Sequence, residues 1–246
     1  MPDILALLAA NPAHYAGMGA LVLGGAILQG LGGVGFAMLC APVALLYFPE
    51  LVPGPLLAMG GLVSLLTAIR ERHEIAWRNA ATALFGRIGG TLLAVSVMSL
   101  LPGRVFAVVF ALCILAAVAL SVLGWRVQAT TGTLLTAGAA SGFMGTLTSA
   151  GAPPFAIVMQ HLPPARVRAT IGAILTVGSA VSITMLAATG HYGLRELQLS
   201  LLLLPLLLCG FSMSSRLRHH LSPAHVRRLL LGLCAAGALG ILVRAV

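Results

Sequence analysis

The chain has 246 residues, 59% of them hydrophobic and 8% charged, with a mean hydropathy of +1.06 and a formal charge of +9. Soluble domains carry about 25% charged residues, so these figures exclude an ordinary cytosolic domain, a secreted disulfide scaffold and a disordered tail. They point to an all-α polytopic membrane protein. The acids are Asp3, Glu50, Glu71, Glu74 and Glu196, and the fourteen cations are all arginine. The arginines stand in short clusters between apolar runs, the pattern of membrane-flanking loops. No nucleic-acid partner is expected.

The first 16 residues lack a basic start, so no cleavable leader is expected. A helix needs about 20 apolar residues to cross a bilayer core. Uncharged runs cover 15–49, 51–69, 105–125, 127–165, 169–194 and 197–215. Two further segments are 79–101, interrupted by Arg87, and 222–243, opened by Arg227-Arg228. The runs 15–49 and 127–165 are too long for one span, and both have glycine-rich centres. In the first, residues 17–29 and 34–46 would each make a helix of roughly 20 Å, too short to cross. Cys40, Cys113, Cys209 and Cys234 lie inside apolar runs without metal-ligand spacing and read as small buried hydrophobes. His219-His220 and His225 fall among arginines and read as a solvated basic loop.

The sequence repeats itself. At an offset of 112, Gly30 meets Gly142, Gly33 meets Gly145, Pro42 meets Pro154, Gly60 meets Gly172, Ser64 meets Thr176 and Thr67 meets Ser179. Further on, at an offset of 121, Gly89 meets Gly210 and Cys113 meets Cys234. This order predicts two membrane repeats, 1–124 and 132–246, joined by a linker at 125–131. Internal repeats of this kind build many transporters.

Arginine placement selects the topology. If all eight segments span, the two sides carry seven and six arginines, and no orientation is favoured. If the first segment of each half dips in and returns, Arg70, Arg72, Arg78, Arg126, Arg166, Arg168, Arg216, Arg218, Arg227 and Arg228 share one face. Arg104, Arg195 and Arg244 keep the other. That bias favours two inverted repeats, each a glycine-rich re-entrant or broken hairpin plus three transmembrane helices. Both termini are then expected outside the cytoplasm.

Broken helices at membrane depth must line a cavity or be buried in protein. Each returning half-helix would present unpaired N–H groups and the positive end of its dipole to an anion. The first tip comprises Gln29, Gly30, Gly32, Gly33, Val34, Gly35 and Phe36, and the second contributes Gly145, Thr146, Thr148, Ser149 and Gly151. Arg87 lies near mid-depth with no acid inside a membrane segment, so it faces backbone carbonyls, a transported anion, or the interface by snorkelling. Ser64 and Thr67 either line the path or bond back to their own helix. Isolated Gly60, Gly86 and Gly237 read as close-packing glycines. These tips, Ser64, Thr67 and Arg87 together form the candidate substrate-binding site.

Two halves that each open on such a segment resemble the TauE/SafE family of sulfite and organosulfonate exporters. The resemblance rests on Gln29 to Phe36 with Pro42, and on Ser141 to Gly145 with Gly151 to Pro154. It implies a bacterial inner-membrane permease exporting sulfite or short organosulfonates. The expectation is a secondary transporter working by alternating access, with an anion channel using the same tips as the alternative. No enzymatic activity, catalytic residue, metal or cofactor is expected. The expected partners are a small anionic substrate and the lipid bilayer, with a homodimer left open.

Overall fold

The computed structural model describes residues 11–123, 127–217 and 223–245, the last without the side chains of 223–227. Asp3, Arg126, Arg218, His219, His220 and Val246 lie outside the described residues, as do the side chains of His225 and Arg227. Every regular element described is helical: α1 (Pro12–Gly32), α2 (Phe36–Tyr47), α3 (Gly54–Arg70), α4 (Trp77–Leu100), α5 (Gly103–Leu123), α6 (Thr131–Thr148), α7 (Pro153–Val158), α8 (Pro164–Ala188), α9 (Leu194–Leu217) and α10 (Pro223–Ala245). Six are long and apolar enough to cross a membrane: α1, α4, α5, α8, α9 and the Arg228–Ala245 part of α10. Their exposed side chains include Phe85, Leu92, Leu93, Leu112, Leu201 and Val243, as a lipid-facing surface requires.

The spans differ from the expected set in two places. Residues 17–29 belong to a 21-residue helix, roughly 31 Å long and able to cross. Residues 51–69 give the 17-residue α3, which falls among the shorter apolar helices. α1 gains its length at both ends. Pro12 starts it in the first turn, where proline is tolerated. It then runs on through Gly30 and Gly32 before reversing at Gly33.

The reversal is a backbone event. Gly33 caps α1 in the left-handed region at φ 78°, its N–H bonded to the Gln29 carbonyl at 2.6 Å, and Gly35 follows at φ 139°. Both values are accessible to glycine at little cost. α6 starts on a Thr130–Thr133 capping box and ends in the same way at Ser149, φ 62°, its N–H bonded to the Gly145 carbonyl at 2.8 Å. The turn-ending residues are thus Gly33 and Ser149. The offset of 112 pairs Gly33 with Gly145, one helical turn short of that.

α1 starts and α2 finishes at the same end of the molecule. His14 near the start of α1 bonds Glu50 just past α2, and Arg244 near the end of α10 reaches the Leu46 carbonyl. At the opposite end, Arg70 closing α3 reaches the Gly30 carbonyl, and Arg168 in the first turns of α8 holds Glu71. Following the chain, Arg70, Arg72, Arg78, Arg166, Arg168, Arg216 and Arg228 gather at this second end. Arg104, Arg195 and Arg244 gather at the first.

The tightest pairing is α4 against α6. Gly86 and Gly90 face the Leu135 and Ala139 carbonyls, and Gly138 and Gly142 face the Ala83 and Arg87 carbonyls. A Cβ at any of the four would collide with the opposing backbone, so these glycines set the close approach. Elsewhere α1 packs on α9, α2 on α10, α5 on α7 and α3 on α8. Exchanging the first five helices for the last five leaves this set of pairs unchanged. Cys40, Cys113 and Cys234 are buried as expected, whereas Cys209 is exposed on α9.

Candidate functional site

The α4–α6 approach and the two reversals together position Arg87. Its side chain is 1% exposed, and it borders a cavity of about 30 Å³ between the hairpin breaks. That is room for roughly two waters, and so for little more than the head of a small oxyanion. The first reversal supplies Gln29, Gly35, Phe36, Ala37 and Met38 to its wall. The second supplies Ser149, Ala150, Gly151 and Ala152. α3 adds Leu57, Gly60 and Ser64, and α8 adds Leu175 and Ser179.

The guanidinium is held on one side only. Nη1 donates to the Ser141 carbonyl at 3.2 Å and to the Ser141 hydroxyl, which in turn donates to the Gly151 carbonyl at 2.5 Å. Gly145, Gly151 and Gly178 form a cradle: a Cβ on Gly151 would stand 2.8 Å from Nη1, and one on Gly178 would overlap Nε. Nε itself is buried with no hydrogen-bond partner.

No described acid balances this charge. Glu71 is bound to Arg168 at 2.6 Å, Glu74 to Arg166 at 3.6 Å, Glu50 to His14, and Glu196 accepts the Gly193 N–H at 2.8 Å. An unbalanced charge at mid-membrane costs at least about 2.5 kcal/mol on insertion scales. The Ser141 contacts offset part of this, and Nε, packed against Gly178, is left without an acceptor.

The expected site residues separate into two sets. Gln29, Gly35, Phe36, Ser64, Arg87, Ser149 and Gly151 are brought together on the cavity, and Gly145 touches it through the guanidinium. Gly30 packs on Ser214, Gly32 is exposed with open space around it, and Gly33 packs on the Arg168 stem. Val34 joins the apolar cluster around Phe155 and Ile174. Thr67 and Thr148 return their hydroxyls to the Val63 and Met144 carbonyls at 2.9 and 2.7 Å. Thr146 bonds Ser182 at 2.9 Å, away from the cavity.

Two donor sets differ from expectation. The Gln29 amide donates to the Gly33 carbonyl at 3.0 Å and to Ser64 Oγ at 3.3 Å, and its Oε1 accepts the Phe36 N–H at 3.1 Å. Its polar atoms therefore brace the reversal. At the second tip, α7 opens on Pro153-Pro154, which have no N–H to offer, and spans only six residues. The free helix-end donors come from the first tip, where α2 has no side-chain cap and Ala37 and Met38 sit in its first turn on the cavity wall.

Sequence reasoning passed over Ser141 and Gly178 as partners of Arg87. It assigned Gly60 to packing, whereas Gly60 lines the cavity. Of the other two repeat-matched hydroxyls expected to line the path or bond back to their helix, Ser179 lines the cavity and Thr176 bonds the Gly172 carbonyl at 2.8 Å. Helix spacing carried a signal for Ser141 and Gly178 only once α4, α6 and α8 were known to be neighbours.

The fold and its interior describe a multi-pass helical membrane protein whose two chain reversals meet at a buried cation. A family model described as Sulfite exporter TauE/SafE matches residues 18–241, nearly the whole chain, and the chain belongs to that family of membrane transporters. No curated protein and no solved structure matches it.

Proposed function

We propose that the chain is a secondary transporter exporting a small oxyanion, sulfite or a short organosulfonate, across a bacterial inner membrane. The observation that carries this reading is Arg87: buried beside the cavity, without a carboxylate, and with Nε unpartnered. A forked guanidinium edge matches two oxygens of one anion. The N–H groups of Ala37 and Met38 add donors from the first tip.

The mechanism we infer is alternating access by two inverted halves, 1–124 and 132–246, about the Arg87 site. The entry of the two hairpins from opposite ends and the exchange symmetry of the helix pairs support it. The arginine-rich end is assigned to the cytoplasm by the positive-inside rule, which puts both termini outside. An anion leaving a negative-inside cell gains about 2.3 kcal/mol per charge per 100 mV, so export needs no further coupling ion.

The test is counterflow of labelled sulfite and of a short sulfonate in proteoliposomes, with wild type and Arg87→Ala. The expected result is saturable counterflow, lost in the variant. Flux that rises linearly with concentration and shows no counterflow would overturn the carrier mechanism in favour of a channel. Undiminished flux in Arg87→Ala would remove the arginine from the site.

A further inference from the structure

Beyond Arg87 lies a second polar place that does not touch the cavity. α4, α6 and α8 run in the same direction, with Arg87, Gly142 and Gly178 in contact at one level. One turn further along each helix stand Thr91, Thr146 and Ser182, all completely buried. Their hydroxyls close a triangle: Thr146 to Ser182 at 2.9 Å, Thr146 to Thr91 at 3.2 Å, and Thr91 to Ser182 at 3.4 Å. The next level is apolar, where Leu57, Val95 and Leu186 pack together.

This triangle departs from the habit of the surrounding helices. Thr82, Ser96, Thr148 and Thr184 each return a proton to the carbonyl one turn back, the usual fate of a hydroxyl in an apolar helix. Thr91, Thr146 and Ser182 instead hold their protons toward one another. They share that trait with Ser141, whose hydroxyl bonds across to Gly151 beside Arg87. These four hydroxyls thus occupy the Arg87 level and the level one turn beyond it.

We propose that Thr91, Thr146 and Ser182 form a second, transient oxyanion subsite, shut in this conformation. It lies on the route from Arg87 to the end carrying Arg104, Arg195 and Arg244. The inference rests on the anion-carrier reading above. Three donors in a triangle suit the trigonal face of a sulfite-like anion. A neutral hydroxyl set binds more weakly than a guanidinium, and an ion on its way out needs sites it can leave.

The experiment uses the full chain, with labelled sulfite as the probe, for wild type, Ser182→Ala and Thr91→Val. Equilibrium binding in detergent and counterflow in proteoliposomes are measured on each. The expected result is a dissociation constant within about threefold of wild type and a maximal counterflow rate at least tenfold lower. Thr91→Ser, which keeps the hydroxyl, is expected to keep the wild-type rate, and Ser182→Ala carries the test if Thr91→Val does not fold. Wild-type rates in Ser182→Ala and Thr91→Val would reduce the triangle to helix–helix adhesion and overturn the subsite. Binding and rate falling together would overturn it too, since the hydroxyls would then act on the Arg87 site. No sulfite counterflow by wild type would sink the carrier reading itself, and the subsite with it.

Discussion

At the residue scale, the guanidinium of Arg87 is more demanding than its charge. Lysine would supply the charge without the fork, and its ammonium could not reproduce the Ser141 contacts and the Nε edge together. Arg87→Lys is expected to weaken sulfite binding roughly 10- to 100-fold, the range of one or two charge-assisted hydrogen bonds. Equilibrium binding checks this, and wild-type affinity would show that charge alone suffices. Gly178→Ala tests the cradle from the other side, because its methyl would overlap Nε. Overpacking of this kind costs about 1–3 kcal/mol, so thermal stability and sulfite binding should fall together. Arg87 was legible in the sequence because a cation inside an apolar run must find a partner. The partner was not legible: Ser141 and Gly178 come from helices 54 or more positions away, through interhelical register.

At the element scale, α4 and α6 are held by glycines on both sides, and the two helices cannot separate without moving Arg87. Gly142→Val is expected to lower the melting temperature and to reduce counterflow. Gly89→Ala, on the same α4 but with nothing within 4 Å of its added carbon, should be neutral or slightly stabilising. A stable, fully active Gly142→Val would contradict the packing assigned here. The hairpins were visible as glycine-rich runs too long for one span, yet their proportions were not. The expected tip, Gln29 to Phe36, contains the break at Gly33 and Gly35, but the early start of α1 at Pro12, which makes it long beside a short α2, was not visible. Pro153-Pro154 marked the second break correctly and at the same time removed the donors that a helix start would otherwise offer.

At the scale of the whole molecule, the proposed topology puts Arg72 and Arg195 on opposite sides of the membrane. Single cysteines introduced in a cysteine-free background at Arg72 and Arg195 are expected to react with an impermeant maleimide from opposite sides of the membrane, Arg195→Cys from outside. Labelling of both from one side would break the topology. The pairing of distant helices also has a consequence in time. Among the described helices α1 is made first, but the helix it packs against, α9, begins at Leu194. At about 5–20 residues per second of synthesis, the opening helix waits on the order of ten seconds or more in the bilayer with Gly19 and Gly30 uncovered. That face of α1 therefore stays uncovered until synthesis has passed α9, and a chain cut short before α9 would leave it without its mate.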